Sequence, residues 1–594
     1  MNLAQIYKER IDKFTEQETF FAKRAAKFPL YRLLVFLAGA VVFYFAFSFT
    51  PILSVVAVIV FLIVFGFVTK LDAKTNDKKN YNNKLKIINE NELKSLGGDY
   101  KIYDDGSRYM DHSHPYTSDL DIFGKASLFQ FINRTTSNSG SDLLASMISK
   151  PAQENEIHLR QQAIGELKEL IDWRQDFQES GQSFEGNPGE RASIVNWLSE
   201  PAYFSNKKVL TVFSIIFPFI TIALIIAAFK GMPHGYAYLA VLIQGIITYL
   251  NSGRINESYQ HISKKVGLLK SHASLIAAIE SASFKTEKLA VLRDNFILDG
   301  TKASDNLNSL SSIVKYLDFR LHLFFFPVNL ITFWDLHWIR KMESWREKNR
   351  DKVIKWFDAM AEFEALSSFA NTYFNHPGWV FPEIAQQEFV LKAKNAGHPL
   401  IKPKERVTNE INIEGKAKVM LITGSNMAGK STYLRTVGVN IVLANAGAPV
   451  CATSFKAAII TPFTSMRIID SLEENASSFY AELKRLQDII NAVKNREKVF
   501  FLLDEILRGT NSNDRHIGSK ALIKQMIKYN GTGIIATHDL ELGKLQEELP
   551  GHIENYSFDV QIEGERLFFD YKLHPGICKS LNASVLMKKM GIEI

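Results

Sequence analysis

Two uncharged apolar runs near the start dominate the hydrophobic pattern of the chain. Residues 33–49 and 52–68 contain no acidic or basic side chain, and Thr50-Pro51 separates them. Each run is close to the minimum of about 17 residues that a membrane-spanning helix needs. Basic residues flank only the outer ends of the pair, at Lys27, Arg32, Lys70 and Lys74. The pattern predicts a transmembrane hairpin over 33–69 with both termini in the cytoplasm; a buried hairpin in a soluble protein is the alternative.

A second block of this kind lies further along the chain. Residues 209–229 are uncharged, a turn follows at 230–233, and 235–250 is apolar again, with Lys207, Lys208 and Arg254 outside the block. These features predict a second transmembrane hairpin over 207–253, in the same orientation as the first. Because the second arm is short and contains glycine, a fully buried helical pair is the alternative.

The stretches around the hairpins have the three-to-four-residue periodicity of amphipathic helices. We predict a charged N-terminal helix over 1–32, a polar linker over 70–118, and a helical core and lever domain in two parts, 119–206 and 254–390. An aromatic cluster falls in the second part, at Phe324-Phe325-Phe326, Phe333-Trp334 and Trp338. Core packing explains this cluster better than a membrane surface does, because Pro327, Asn329 and Asp335 interrupt any spanning run.

Composition narrows the picture only a little. A chain of 594 residues exceeds the usual domain size of about 100 to 200 residues, so it should hold several domains. The net charge of +7 is small for this length and does not by itself indicate nucleic acid. The two cysteines, Cys451 and Cys578, form no spaced pair. We therefore expect neither a disulfide framework nor a zinc site, and a reducing compartment for the soluble parts.

Beyond Val390 the pattern changes to short buried strands between helices, which predicts an α/β domain over 391–594. A strand over 419–423 leads directly into Gly424-Ser425-Asn426-Met427-Ala428-Gly429-Lys430-Ser431-Thr432. This run matches the phosphate-binding pattern G-x-x-x-x-G-K-[ST] in full. The two glycines let backbone N–H groups point at phosphate oxygens, Lys430 brings a cation to the terminal phosphates, and the Ser431 hydroxyl suits Mg²⁺. The stretch therefore predicts a nucleotide site.

Two further strands of this domain end in polar side chains. The apolar strand 499–503 ends in Asp504-Glu505, carboxylates that such a strand tolerates only at its exposed end. We predict that Asp504 holds the Mg²⁺ shell and that Glu505 orients or deprotonates the attacking water. The strand 534–536 ends in Thr537-His538. His538 is a candidate sensor of the γ-phosphate, with an ordinary surface histidine as the alternative.

These motifs resemble the ATPase motifs of the MutS DNA mismatch repair family. Asn426-Met427 inside the loop and Arg508-Gly509-Thr510 after the acidic pair distinguish that family from other P-loop ATPases. The stretch 477–482 is similar to the family's helix-start motif, and the resemblance implies that Ser477 reaches the nucleotide of a partner subunit. Asn409-Glu410-Ile411 is similar to the family's segment beside the adenine.

The resemblance continues upstream to about Asp119. Residues 133–163 resemble the start of the family's helical core, 360–366 its lever helix, and 397–400 the segment that leads into its ATPase domain. Before Asp119, the hairpin and the linker leave too little chain for the family's mismatch-reading and connector domains. At the other end, we expect no room before Ile594 for the family's helical dimerisation extension. Within the loop, Ser425 and Ala428 replace the commoner proline and glycine, and both are small enough to preserve the phosphate cradle.

Together these observations predict a multidomain protein with transmembrane helical hairpins, an all-α core and lever domain, and a C-terminal α/β P-loop ATPase domain of ABC/MutS type. The resemblance implies an ATPase that uses ATP and Mg²⁺, forms a homodimer through its ATPase domains and acts on DNA, in mismatch repair or related DNA transactions. We expect it in the cytoplasmic membrane, with the ATPase domain in the cytoplasm. The alternative is an ATPase that remodels or regulates a membrane complex without binding DNA. A transporter is less favoured, because no intramembrane charge marks a pathway.

Overall fold

The computed structural model of the chain describes residues 2–182, 190–263, 266–298, 300–322, 325–425, 427–467, 478–563 and 566–578. The described part is mostly helical, with mixed sheets in its C-terminal third. It divides into two compact units, Met1–Tyr103 and Asp104–Ile594.

The first unit contains three helices, and the first two, taken together, form an antiparallel pair with the third. Helices α1 (Leu3–Ala25) and α2 (Phe28–Phe49) follow each other along the chain, and α3 (Pro51–Leu96) runs back along both of them. The sharp reversal lies at Thr50, whose hydroxyl accepts a hydrogen bond from the N–H of Leu53 at 3.3 Å. Pro51 occupies the first position of α3, where its missing N–H costs nothing. Thr50 and Pro51 therefore end one helix and start the next.

The apolar part of this pair has the properties of spanning helices. The helical stretch Leu3–Phe49 and the helix Pro51–Leu96 are each long and apolar enough to cross a membrane, by length and composition. Their apolar side chains face outward, with Phe49 78% and Ile52 77% exposed. A side chain of this kind is expected to be buried in a soluble protein and exposed to lipid in a membrane protein.

The polar end of the pair corrects the predicted linker. Helix α3 continues to Leu96, so the expectation of a connecting segment from residue 70 is wrong up to that point. Leu85 and Ile88 of α3 pack against Phe14 of α1. An ion pair between Lys86 and Glu18 at 3.3 Å joins the same two helices. The polar residues that indicated a linker form the outer surface of a helix that is half-buried against its neighbour.

The second unit begins with a helical part built around one long helix. Its elements are α4 (Leu128–Ile132), α5 (Asn138–Ser149), α6 (Glu154–Glu169), α7 (Ile171–Gly181), α8 (Glu190–Ser199), α9 (Lys208–Phe229), α10 (Gly235–Ser263), α11 (Val266–Ser281), α12 (Glu287–Asp294), β1 (Ile297–Leu298), β2 (Thr301–Lys302), α13 (Ala303–Asp318), α14 (Phe326–Thr332) and α15 (Trp334–Asn375). Helix α15 contacts nearly every other helix of this part and buries Trp356, Phe363 and Phe369 completely or almost so. The segment 360–366, expected in a lever helix, lies within it.

Buried glutamates tie the starts of several helices to their neighbours. Glu364 of α15 accepts hydrogen bonds from the N–H groups of Thr136 at 2.7 Å and Ser137 at 3.0 Å, just before α5. Glu280 of α11 accepts one from the N–H of Ser304 at 3.0 Å, in the first turn of α13. The first N–H groups of a helix have no partner within it and carry a partial positive charge. These carboxylates satisfy them, although burial raises the pKa of Glu364.

Helix α9 is also long and apolar enough to cross a membrane, but α10 is not among the described helices that are. Gln244 interrupts the apolar run of α10 and donates its buried amide to the carbonyl oxygen of Ile331 in α14, at 2.8 Å. Helix α10 does not meet this criterion, and a second spanning arm over 235–250 stays a prediction. The polar residues from Asn251 onward lower the hydropathy of the arm further.

The aromatic cluster before α15 is largely packed. The rings of Tyr316 and Trp338 stack at 4.3 Å between centroids, Phe325 meets Trp334 edge-on at 5.1 Å, and Phe333 is buried. Core packing is therefore confirmed for these rings. It is wrong for Phe326, which is 67% exposed, and Phe324 lies outside the described residues.

The C-terminal part of the second unit is the predicted α/β structure. Its strands are β3 (Glu383–Ile384), β4 (Val390–Ala396), β5 (Asn409–Glu414), β6 (Val419–Gly424), β7 (Ser454–Ala457), β8 (Thr461–Ser465), β9 (Val499–Asp504), β10 (Thr532–Thr537), β11 (Ile553–Glu563) and β12 (Arg566–Pro575). Its helices are α16 (Lys430–Ala446), α17 (Ser478–Lys494), α18 (Ser512–Lys528) and α19 (Leu545–Glu548). One sheet has the order β3-β7-β4-β5 and the other the order β12-β11-β6-β10-β9-β8.

The six-stranded sheet fixes where the polar strand ends meet. Strands β11, β6, β10, β9 and β8 are parallel, and β12 pairs antiparallel at the edge. In the register of β10, Thr537 lies opposite Thr423 of β6 and Ala536 lies opposite Asp504 of β9. Strands β6, β9 and β10 are buried along their whole length, as central parallel strands are. Their carboxyl ends therefore open side by side at one edge of the sheet.

Candidate nucleotide site

The loop between β6 and α16 has the tight backbone that its glycines predicted. Gly424 has φ 154° and Gly429 has φ 108°. A Cβ on Gly424 would lie 2.6 Å from the carbonyl oxygen of Phe558, so no side chain fits there. Ala428 is buried, whereas Met427 is 73% exposed. Helix α16 begins directly at Lys430, and its first N–H groups therefore lie at the loop, the arrangement that binds phosphate in other proteins.

Lys430 is held inside this loop. Its side chain is buried, and its ammonium group donates to the carbonyl oxygens of Gly424 at 2.8 Å and Ser425 at 2.9 Å. Burial lowers the pKa of Lys430, while the carboxylates of Glu505 and Asp504 oppose that effect. The partners of the ammonium group are neutral carbonyls of the loop. Phosphate oxygens can replace them with a gain in charge-assisted hydrogen bonding.

Asp504 ends β9 and has the environment of a cation ligand. Its side chain is buried, and among the described residues its Oδ1 has no hydrogen-bond donor. Its Oδ2 lies 3.8 Å from the nearer nitrogen of Arg508, beyond a hydrogen bond. A buried carboxylate oxygen without a donor is costly unless something else binds it. Together with the hydroxyl of Ser431 in the first turn of α16, it offers the hard oxygen donors that Mg²⁺ prefers.

Glu505 is fixed by its backbone and by contacts with His538 and Arg508. Its φ is 52°, and its N–H donates to the carbonyl oxygen of Ala536 at 2.9 Å. Oε1 lies 2.5 Å from Nε2 of His538, and Oε2 lies 3.2 Å from Nε of Arg508. The hydrogen bond with His538, helped by the positive charges of Arg508 and Lys430, lowers the pKa of Glu505 to about 2. Glu505 is therefore a carboxylate at neutral pH.

His538 connects the two sides of the site. Its Nε2 also lies 3.4 Å from the ammonium nitrogen of Lys430. The residue follows directly after β10, which lies between β6 and β9. The structure thus brings His538 into the cluster with Lys430 and Glu505, and does not leave it as an isolated surface histidine.

The family resemblance implied that two residues, Asn409 and Ser477, lie close to a nucleotide. The amide of Asn409 donates to the carbonyl oxygen of Tyr571 at 3.0 Å and accepts from the N–H of Leu573 at 2.9 Å, so it ties β5 to β12. A role of Asn409 beside the adenine stays a prediction. Ser477 and Asn426 lie outside the described residues. Thr432 is exposed in the first turn of α16.

Tyr571 is a residue of this region that the sequence analysis missed. A Cβ on Gly429 would lie 3.2 Å from the ring of Tyr571, which therefore covers the start of α16. Tyr571 has φ 53°, and its ring stacks on Phe569 at 5.9 Å. No local pattern marks it, because only the pairing of the edge strand β12 brings it to the loop.

The turn after the acidic pair is supported from a neighbouring helix. Arg508 donates to the carbonyl oxygens of Asp504 at 2.9 Å and Glu505 at 3.0 Å. Glu482 of α17 accepts the N–H of Leu507 at 2.5 Å, and burial raises the pKa of Glu482. These contacts hold the acidic pair in place through its own backbone. They also connect the pair to α17, which begins at Ser478.

Comparison with known proteins agrees with this geometry. A family model described as MutS domain V matches residues 420–589. The DNA mismatch repair protein MutS of Chlorobium phaeovibrioides is 35% identical over 225 residues, which are 37% of this chain and 25% of that protein. MutS of Aquifex pyrophilus is 32% identical over 249 residues, 41% of this chain and 28% of that protein.

A eukaryotic relative gives the same result. The DNA mismatch repair protein MSH3 of Phaeosphaeria nodorum is 30% identical over 226 residues, 37% of this chain and 20% of that protein. The chain thus spans about a quarter of the length of the curated relatives it matches. The matched residues include the glycine loop 424–432, the acidic pair and His538. Residues 420–589 of the chain thus match domain V of the MutS family, and the relatives matched in this comparison are DNA mismatch repair proteins.

Proposed function

We propose that the chain binds ATP with Mg²⁺ at the carboxyl ends of β6, β9 and β10 and hydrolyses it. One observation carries the proposal. Side chains from three separate strand ends meet at one edge of a parallel sheet: Lys430, Asp504, Glu505 and His538. Ligands of open α/β sheets bind at this edge.

Each side chain has a defined part in this proposal. Lys430 exchanges its two loop carbonyls for phosphate oxygens, while Asp504 and Ser431 hold Mg²⁺. When bound, Mg²⁺ neutralises the charge that develops on the transferring phosphoryl group. Glu505 orients the attacking water by accepting its hydrogen bond. A carboxylate with a pKa of about 2 holds a proton poorly, so positioning is favoured over proton storage.

A second copy of the chain completes the site. Large apolar side chains are exposed on the elements around the loop, with Met427 73%, Tyr480 63% and Ile517 57% exposed. Exposed apolar side chains of this size occur at protein interfaces, so these three are candidates for contact with the second copy. Ser477 would then reach the nucleotide of the partner subunit. ATP binding closes the pair of domains, and hydrolysis reopens it.

The apolar helices anchor the protein in a bilayer. Helices α2 and α3 form one spanning hairpin, and α9 enters the bilayer with α10 as the returning arm, so that the basic residues outside both hairpins face the cytoplasm. The ring of Phe213 in α9 lies 6.0 Å from that of Phe333, directly before α15. This contact gives the apolar helix a direct mechanical connection to the long helix of the core.

DNA is the substrate that the names of the relatives suggest for this chain. With purified full-length chain at low salt, we expect duplex, branched or single-stranded DNA to raise ATP turnover several-fold. The increase should fall steeply as salt is added, because phosphate contacts release counterions. Turnover that ignores all three forms of DNA at low salt contradicts the DNA role while leaving the ATPase intact.

An ATPase that regulates or remodels a membrane complex without DNA is the second candidate. The observation that favours it is that the described residues include three helical stretches of spanning length and hydropathy, in the same chain as the nucleotide site. In that case turnover would be insensitive to DNA and would change on transfer from detergent into vesicles.

A further inference from the structure

The first unit contains a concave site beside its helical break. A cavity of about 800 Å³ lies between the end of α1, the start of α2 and the middle of α3. Lys23, Arg24 and Lys27 line it from one side, and Phe28, Tyr31 and Leu34 belong to its apolar wall. Cations and apolar side chains therefore meet within one cavity.

The positive charge of this site is not compensated by the protein. Among the described residues, none of the three cations has a carboxylate partner. Asp72, an acid of α3 near the break, is buried and already pairs with Arg32 at 3.2 Å. Further along α3, Lys78 lies over the ring of Phe21 at 5.4 Å and adds positive charge next to α1. An anion bound here would gain from three charges without displacing an existing ion pair.

The position of the cavity along the helices identifies the kind of anion. The cations precede the uncharged run that begins at residue 33, and Val68 and Leu71 close the cavity from the other end of the second run. From Leu34, which is 53% exposed, the wall continues into the apolar outer surface of α2. A soluble anion would use only the charges. A phospholipid uses the charges for its phosphate and the adjacent apolar wall for its chains.

We propose that this cavity binds the headgroup of an anionic phospholipid, with its phosphate at Lys23, Arg24 and Lys27 and its acyl chains along Leu34 and Val68. The inference rests on the proposed insertion of α2 and α3 in a bilayer. A lipid bound at this point fixes the break between α1 and α2 at the membrane surface.

The test measures phosphatidylglycerol bound to the detergent-purified full chain by native mass spectrometry, with phosphatidylcholine as the neutral reference. The triple variant Lys23→Gln, Arg24→Gln, Lys27→Gln should retain phosphatidylglycerol about tenfold less than the parent chain. The matched control Lys70→Gln, Lys74→Gln, Lys79→Gln removes the same charge from the same end of the hairpin, outside the cavity, and should retain it as the parent does. An equal loss in both triple variants, or equal retention of phosphatidylcholine, overturns the inference.

Two further measurements separate the sources of failure. Glycerol phosphate, the soluble form of the same chemistry, should not displace the lipid; displacement at millimolar concentration would make the site one for a soluble anion. Flotation with phosphatidylcholine vesicles tests insertion independently, and the parent and both variants should float alike. A parent chain that does not float refutes the membrane proposal itself, whereas normal flotation with unchanged lipid retention in the cavity variant refutes only the lipid site.

Discussion

The Glu505→Gln variant is expected to bind ATP with Mg²⁺ as the parent chain does and to hydrolyse it about a thousandfold more slowly. Glutamine keeps the size of the side chain but loses the negative charge that orients the attacking water. It also loses the ion pairs with His538 and Arg508, which hold the carboxylate in the present arrangement. Lys430 and Asp504 are unchanged, so the triphosphate is still held. Equilibrium binding of a fluorescent ATP analogue and a phosphate-release assay measure the two effects separately.

Glu541→Gln is the matched control for this change. Glu541 lies in the short helical turn after β10, is 66% exposed and pairs only with Lys544 at 3.0 Å in the described structure. Its substitution should leave both binding and hydrolysis within twofold of the parent, on the order of ordinary surface changes. Hydrolysis by the Glu505 variant at the rate of this control would refute the role assigned to Glu505.

Replacing Lys430 by methionine should abolish detectable hydrolysis and weaken ATP binding roughly 100-fold. A hydrogen bond to a charged group contributes about 1.5–3 kcal/mol, and Lys430 is the cation that the loop encloses. Methionine fills most of the space of the buried stem, so the loop should keep its shape. Isothermal titration of the detergent-purified variant with ATP and Mg²⁺ measures the change in affinity.

Lys418→Met is the corresponding control. Lys418 directly precedes the same strand β6 but lies at its opposite end, where its ammonium group donates to the carbonyl oxygen of Gly551. Its loss should leave ATP affinity unchanged, because the amino end of the sheet is remote from the loop. Unchanged affinity in the Lys430 variant, with a normal melting temperature, would contradict a phosphate site at this loop.

The candidate site could be predicted largely because its residues follow a rule that is readable in one sequence. Asp504 ends an apolar strand, His538 directly follows another, and Lys430 follows the glycine loop after a third. Parallel strands place their carboxyl ends at a common edge. The glycines of the loop predict a backbone conformation with positive φ that other residues rarely adopt, and Gly429 has φ 108°.

Residues that reach the site through pairing at the sheet edge could not be predicted in this way. Tyr571 covers Gly429 only because β12 turns back antiparallel to β11, and nothing near Tyr571 in the sequence indicates that pairing. The amide of Asn409 is likewise engaged with the backbone of β12, a contact across 164 positions of sequence. Long-range register of this kind depends on the whole sheet rather than on local pattern.

The errors in the helical part have a common cause. Polar composition over 70–96 indicated a linker, yet a helix that packs along one narrow face needs few apolar residues, such as Leu85 and Ile88. In α10 the position of Gln244 was not predicted either: it lies inside the protein, where its amide donates to a carbonyl oxygen at the end of α14. The composition of a segment gives only its average polarity, whereas the burial of a side chain depends on which face of the helix packs against a neighbouring element.

The most direct test is ATP binding and turnover by the purified full-length chain, with and without Mg²⁺. The account predicts that the chain retains ATP in the presence of Mg²⁺ and releases phosphate, and that chelation of the metal stops the release. A correctly folded chain that neither retains nor cleaves ATP under these conditions would contradict it.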